Sequence, residues 1–367
     1  MIHSVVLSNT LHRPIRTAVS ILAVAIEVSM VLLVVGMTTG MLNDNKRRVE
    51  GVGADVMIQP PNASFIMGLS AAPVPATIAN AVAKLPYVAA VSPVLLQTNM
   101  GKGLNLIWGI DTPSFDSVTG GFAYIAGGPM SNPEDVLVDD LYARANNLKV
   151  GQTVSLLNHD FRVSGIVVHG RGSRVFIRIE TAQDLSGALG RASIFFVKAR
   201  APEYADEVVA RVKKLLPNYQ VLSMAEYAFL MSSNNIPAFN AFVTVLIAVS
   251  VGIGFLVIFL AMYSAVNERT REIGIYKALG MSKGLIILLI EWEAGLLCLV
   301  GVVVGYGGTL ALSRVIRTSF PTLPIEPMTL AWMCRAGLLA LAGSFLGALY
   351  PALHAAHLDA VESLGFE

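Results

Sequence analysis

Residues 17–41 read TAVSILAVAIEVSMVLLVVGMTTGM, a run in which Glu27 is the only charged side chain. The hydrocarbon core of a bilayer is about 30 Å thick and an α-helix rises about 1.5 Å per residue, so roughly 20 apolar residues cross it. This run is long enough, and three more follow. Residues 238–266 hold no charged side chain, 284–312 are interrupted by Glu291 and Glu293 near one end, and 328–350 are interrupted by Arg335. The first run follows Arg13 and Arg16, as the apolar core of a signal peptide would. It is longer than the about 7–15 residues of such a core and no small-residue cleavage site follows, so it reads as a spanning helix.

Composition agrees with a membrane protein: 54% of the residues are hydrophobic and 14% charged, and the mean hydropathy is +0.63. A net charge of +1 without a long Lys/Arg cluster gives no footprint for nucleic acid. Both cysteines, Cys298 and Cys334, fall in apolar runs, so the segment between the first two spans has none with which to form a disulfide.

Four spans place both termini on one side, together with residues 267–283. Lys and Arg in short loops mark the cytoplasmic side. Arg13, Arg16, Arg269, Arg271, Lys277 and Lys283 assign that side, against Arg314, Arg317 and Arg335 near the other. The expected layout is then a cytoplasmic amphipathic segment (1–16), an outer domain (42–237), a cytoplasmic loop (267–283), an outer loop (313–327) and a cytoplasmic tail (351–367).

Between residues 42 and 237 charged residues, prolines and short alternating runs predict a folded α+β domain. A strand at 55–59, a helix at 75–85 and a strand at 88–96 are echoed by a strand at 194–198, a helix at 203–216 and a strand at 219–222. These two βαβ-like parts enclose a mainly β insert, 97–191, with strands at 136–138, 153–157 and 161–168. Ser155, His159, Asp160 and His169 are close in sequence, but no nucleophile elbow or H-E-x-x-H spacing accompanies them, and they read as solvent-facing residues.

The loop 267–283, NERTREIGIYKALGMSK, reads as a short amphipathic helix. Gly280 suits the left-handed residue that ends a helix, and Ser282 suits the cap of the next one. Glu268 with Arg271, and Arg269 with Glu272, are spaced to pair along its surface, while Ile275 and Leu279 share a face. An ordinary interfacial helix and a docking element for a soluble partner both fit this pattern.

ERTREIGIYKALGMSK resembles the ERxREIGxxxAxG signature of the FtsX/MacB family of ABC-transporter permeases. Residues 11–26, LHRPIRTAVSILAVAI, are similar to that family's entry into its first span. Residues 288–308, LLIEWEAGLLCLVGVVVGYGG, resemble its third span, with a glutamate at Glu291. Residues 347–364, GALYPALHAAHLDAVESL, resemble its closing pattern, with Ala360 where proline is usual and His354 and His357 where arginine is frequent. The resemblance implies a fold of four transmembrane helices with a periplasmic domain of porter-like βαβ parts around a β-rich insert.

It also implies that 267–283 is the coupling helix that enters a groove on the ATPase. Glu268, Arg269, Arg271, Glu272 and Lys277 are then polar docking contacts, Ile273, Tyr276 and Leu279 supply packing, and Gly274, Ala278 and Gly280 complete the signature. No G-x-x-x-x-G-K-[ST] occurs in the chain, so no Walker A loop is present to hold a nucleotide, and ATP and magnesium are expected on a separate ATPase. No catalytic residue, metal or cofactor is expected on this chain.

Few ionisable groups lie in the spans, which favours transmission of movement over a wet solute pathway. Glu27 and Glu291 are the intramembrane carboxylates, and Glu291 is close enough to the cytoplasmic end to reach the interface. Gly36 with Gly40, Gly301 with Gly305 and Gly343 with Gly347 allow close helix approach.

By family analogy the partners are the ATPase, a second permease copy (the same chain or a related subunit) and a periplasmic adaptor, in the inner membrane. A MacB-like exporter, a lipoprotein- or lipid-releasing permease and an FtsX-like scaffold for a cell-wall hydrolase are the competing functions. The size of the outer domain favours the first two.

Overall fold

The computed structural model describes residues 14–61, 63, 72–99, 105–230, 237–326 and 328–358. Of the N-terminal segment expected at 1–16, residues 1–13 lie outside the described residues; so do residues 359–367 of the tail, with Ala360. The chain forms two compact units. One comprises Met1–Thr39, Pro237–Thr318 and Ile325–Glu367, the other Gly40–Ile236 and Ser319–Pro324.

The first helix, α1 (Pro14–Glu50), does not stop where the apolar run ends. It continues through the polar stretch 42–50, where Asp44 pairs with Arg48 at 3.1 Å and Lys46 with Glu50 at 3.9 Å, each one helical turn apart. Hydropathy falls after Met41, but helix-forming capacity does not.

The sheet unit then runs β1 (Val56–Gln59), β2 (Val74–Pro75), α2 (Ile78–Ala83), β3 (Val88–Asn99), β4 (Asn105–Ile110) and α3 (Thr112–Thr119). It goes on with β5 (Tyr124–Gly127), β6 (Asp135–Asp139), α4 (Asp140–Ala145), β7 (Thr153–Leu156), β8 (His159–Val167), β9 (Val175–Arg178) and α5 (Ile179–Ser186). It closes with β10 (Arg191–Ala192), β11 (Ile194–Ala199), α6 (Ala205–Leu215), β12 (Gln220–Ser223) and α7 (Met224–Leu230).

The two βαβ parts, β1-α2-β3 and β11-α6-β12, interleave in one sheet as β12-β1-β11-β3, the arrangement of a split βαβ fold. The insert adds to the same sheet through β4, giving the order β12-β1-β11-β3-β4-β9-β6-β8-β5 with β7 on β8. It is not purely β, since α3, α4 and α5 lie within it. Asp111 and Asp139 start α3 and α4 by accepting from the backbone N–H groups of Ser114 (3.2 Å) and Tyr142 (2.6 Å).

Strands buried on both faces carry apolar residues without alternation. Val56, Ile58, Phe195 and Val197 pack under α2 and α6 against Val82, Val208 and Val212. Met57 and Phe196 face the other way, toward Trp108, Phe115 and Phe176. Trp108 stacks on Phe196 at 5.4 Å and meets Phe176 edge-on at 6.1 Å. Gly172, at φ +61°, lies against that indole, and a Cβ there would fall 2.3 Å from a ring carbon.

The helical unit is completed by α8 (Pro237–Glu268), α9 (Thr270–Ala278), α10 (Lys283–Ser319) and α11 (Leu330–His357). α1 meets α10 at Gly301 and Gly305, where added Cβ atoms would fall 2.7 Å from Val24 and 2.9 Å from the Ala25 carbonyl. The Ser29 hydroxyl donates to the Gly305 carbonyl there at 2.9 Å. α8 meets α11 at Gly347, where a Cβ would lie 2.7 Å from the Phe255 carbonyl. Two of the three expected glycine pairs thus mark helix contacts, which in an apolar solvent gain their strength from close packing.

Phe242, Val245, Val249, Ile253, Leu256 and Leu260 form an exposed apolar stripe along α8. Such a surface is stable in hydrocarbon and costly in water, and four helices of this unit are long and apolar enough to cross a bilayer. The chain is a multi-pass membrane protein.

Candidate functional site: the helix between the second and third spans

Helix α9 is nine residues long and begins directly after α8. Its first turn is set by the Arg269 carbonyl, which accepts from Ile273 N–H at 2.9 Å. At its other end Gly280 takes φ +89°, a conformation that a side chain disfavours, and the Ser282 carbonyl accepts from Ile286 N–H to open α10.

A nine-residue helix presents every third or fourth residue on one face, and here the faces divide cleanly. Ile273 and Gly274 are buried; Arg269, Tyr276 and Lys277 are half-buried; Glu268, Arg271, Glu272, Ile275, Ala278 and Leu279 are exposed. Leu279 is 80% exposed and Ile275 43%, so an apolar pair stands in the open beside a cation and an anion. Arg271 and Glu272 form no ion pair among the described residues.

Three of the expected docking residues face inward instead. The Arg269 guanidinium grips the Glu293 carboxylate of α10 with both arms, at 3.1 and 3.4 Å, where the side chains keep only 11% and 5% of their exposure. A planar fork meets a planar carboxylate in this geometry, which an ammonium cannot reproduce. Arg269 therefore serves the fold and not an i,i+3 pair with Glu272. Lys277 donates to the carbonyls of Ala356, at 2.9 Å, and Leu358, and so covers the orphan acceptors at the end of α11. Ile273 packs into the bundle core with Val266, Ile286 and Ile290. Glu268 accepts from the Ser264 hydroxyl at 3.1 Å, one turn back in α8.

The helix is thus fastened to three others. It continues α8, leads into α10 and is tied to it by Arg269–Glu293, and reaches α11 through Lys277. Glu293 escaped the sequence reading, which attended to Glu291. The signal was present as two acids, two residues apart and hence on different helix faces, in an otherwise apolar start to a span.

The intramembrane carboxylates do not join this constellation through any described contact. Glu27 is buried on α1 with its head against Gly254 of α8, where a Cβ would fall 1.9 Å from a carboxylate oxygen. Glu291 is half-buried, and its Oε2 has no hydrogen-bond partner among the described residues. In the sheet unit, Ser155 and Asp160 pair across the β7–β8 hairpin next to Leu156 and His159. His169 is held by Asp140, which accepts from its backbone N–H at 3.0 Å and lies 2.8 Å from its Nδ1. Among the described residues no hydrogen bond or ion pair joins His169 to Ser155, His159 or Asp160.

Residues 17–215 match the family of MacB-like periplasmic core domains, and residues 244–360 match the FtsX-like permease C-terminal family. The chain is 25% identical over its whole length to "Macrolide export ATP-binding/permease protein MacB" of Sodalis glossinidius, covering 60% of that protein. It is 30% identical over 205 residues to "Uncharacterized ABC transporter permease YknZ" of Bacillus subtilis, covering 53% of this chain and 45% of that one. The crystal structure of the periplasmic region of MacB from Actinobacillus actinomycetemcomitans aligns with 48% of this chain and 92% of its own at 18% identity, with a TM-score of 0.38. The chain spans about 60% of the length of the MacB relative from Sodalis glossinidius.

Proposed function

The chain belongs to the family of MacB- and FtsX-type ABC-transporter permeases, and from that premise we propose that it is the transmembrane subunit of a MacB-type transporter. In this reading α9 faces the cytoplasm, a separate ATPase grips it, and ATP-driven closure of the ATPase shifts the spans and moves the sheet domain on the periplasmic side of the inner membrane. The work done is export or extraction of a substrate.

The observation that carries the reading is the division of labour on α9. Arg269, Lys277 and Ile273 fasten the helix inward, while Arg271, Glu272, Ile275 and Leu279 are left outward, the charged pair without an ion-pair partner among the described residues. An exposed leucine flanked by exposed charges suits a groove with an apolar floor and a polar rim. Movement of α9 reaches α8 and α10 through the chain and α11 through Lys277, so one push acts on three spans.

Two further parts of the assembly follow from the family. A second permease copy, identical or related, supplies the other half of the membrane portion, and a periplasmic adaptor is a candidate partner of the sheet domain. The match of residues 17–215 to a MacB-like core supports the exporter or extractor over a scaffold for a cell-wall hydrolase. A photo-crosslinking residue at Leu279 tests the reading in native membranes: it should capture an ABC ATPase, and the same probe at buried Ile273 should not. Capture of the ATPase from neither position, or from Ile273 alone, contradicts it.

A further inference from the structure

A second set of charges lies in the sheet unit, away from α9 in sequence and unused by the coupling scheme. Arg174 stands immediately before β9, a central strand paired with β4 on one side and β6 on the other. Its backbone is locked there, since its carbonyl accepts from Asp139 N–H at 2.8 Å, and the neighbouring Ser173 hydroxyl donates to the Leu106 carbonyl at 2.5 Å. Its side chain is 12% exposed.

That one guanidinium serves three segments. Nη2 donates to Asp44 Oδ2 of α1 at 3.1 Å and to the carbonyl of Thr322 at 3.0 Å, and Nη1 lies 3.6 Å from Asp139 Oδ2 at the start of α4. Asp44 is shared with Arg48, so two cations and two anions balance in a mostly buried cluster. Arg48 is itself clasped, because its carbonyl accepts from Gly172 N–H at 2.6 Å. Thr322 belongs to the turn Phe320–Leu323 that follows α10, in which Leu323 N–H donates to the Phe320 carbonyl at 2.9 Å. All of these groups lie within the unit formed by Gly40–Ile236 and Ser319–Pro324.

We propose that Arg174 is a positioning residue that locks the extension of α1 and the turn 320–323 to the central strands, so that the sheet domain follows both as one body. Nη2 alone reaches both the Asp44 carboxylate and the Thr322 carbonyl while Nη1 faces Asp139, so one side chain spans α1, the turn and the start of α4. A glutamine amide at the same place is shorter and brings no charge to Asp44. The inference gives the proposed transmission of movement its output joint and rests on that reading for its purpose. The joint itself is measurable on the chain alone.

The test uses the full chain in lipid nanodiscs without any ATPase, with Cys298 and Cys334 replaced by serine. Spin labels at Lys46 in α1, at Phe320 in the turn and at Arg162 in β8 report two distances, 46–162 and 320–162. Both distributions should be narrow in the parent and broad in Arg174→Gln. The exchange Asp44→Arg with Arg174→Asp should restore the narrow 46–162 distance while 320–162 stays broad, because an aspartate cannot donate to the Thr322 carbonyl. A residue that merely supports folding would not separate the two distances.

Where Arg174→Gln does not fold, Asp44→Ala is measured instead, and the 46–162 distribution should broaden while 320–162 stays narrow. Two narrow distributions in a folded Arg174→Gln or Asp44→Ala chain, or equal recovery of both in the exchange variant, overturn the inference. No ATPase takes part, so these results bear on the joint and leave the assignment of α9 to its own test.

Discussion

Arg269 and Glu293 lie 24 residues apart in the chain, yet their side chains meet at 3.1 Å with almost no exposed surface, tying the start of α9 to the third turn of α10. A buried pair of this kind is held by balance. Each charge is largely buried, and removing one deprives the other of its bidentate partner.

Removing one partner should therefore cost far more than removing both. Arg269→Ala leaves the Glu293 carboxylate buried and should lower stability by about 3–5 kcal/mol, whereas Arg269→Met with Glu293→Leu should stay near the parent. Thermal unfolding in detergent, followed by circular dichroism, measures the difference. Equal losses in the single and double variants would show that the pair is not coupled.

The two faces of α9 should respond in opposite ways. Ile273→Ala opens a void in the bundle core and should cost about 2–5 kcal/mol. Leu279→Ala, at an exposed position, should change stability by no more than about 0.5 kcal/mol while weakening ATPase binding. Stability is read by unfolding and binding by co-sedimentation with vesicles. Reduced stability in Leu279→Ala would mean that this side chain is packed and not presented.

Close approach at the glycines should be intolerant of volume. Gly347→Val drives a branched side chain into the Phe255 carbonyl and should cost about 1–3 kcal/mol or more, whereas Gly252→Ala, whose Cβ meets nothing within 4 Å, should be neutral. Resistance to unfolding by dodecyl sulfate ranks the two variants. Equal resistance would place the α8–α11 contact elsewhere.

Asp139 supplies a pH dependence with a definite sign. Burial lifts its carboxyl to about 6, against the pull of the Tyr142 N–H and of Arg174, with Asp140 raising it further and His169 lowering it. The folded state then takes up a proton as pH falls through about 6 while the unfolded chain waits until near 3.8, so this group adds stability as pH falls from 7 to 5. Burial raises the Asp140 carboxyl, but the contacts of His169 and Arg144 together outweigh it and hold the group below its ordinary value, so it acts only at lower pH, where its contribution is lost. Melting temperatures of the parent relative to Asp139→Asn should rise across pH 7 to 5. Parallel profiles would contradict the shifted carboxyl.

Much of this architecture is legible in the sequence because its signals are local. An apolar run of sufficient length is a span wherever it occurs, and the two strand–helix–strand parts show in the spacing of short apolar segments. The continuous sheet is not legible in that way: Ile107 of β4 pairs with Val175 of β9, and Val136 of β6 with Ile177, through registers that no local pattern encodes.

The same limit applies to the charges. The exposed residues of α9 follow from its helical period, but Arg269 finds Glu293, and Arg174 finds Asp44 and Thr322, only once distant helices or strands are packed. The signature in 268–280 marks the segment as one unit and does not separate the residues that hold it from those it presents.

The central claim is that the outward face of α9 is the grip of an ATPase. Its most direct test is the affinity of the ABC ATPase captured with this chain for nanodiscs carrying the parent or the double reversal Arg271→Glu with Glu272→Arg, two exposed side chains that form no ion pair among the described residues. The account predicts binding weakened about tenfold or more, equivalent to about 1.4 kcal/mol, at unchanged thermal stability. Unchanged affinity of a folded double variant would contradict it.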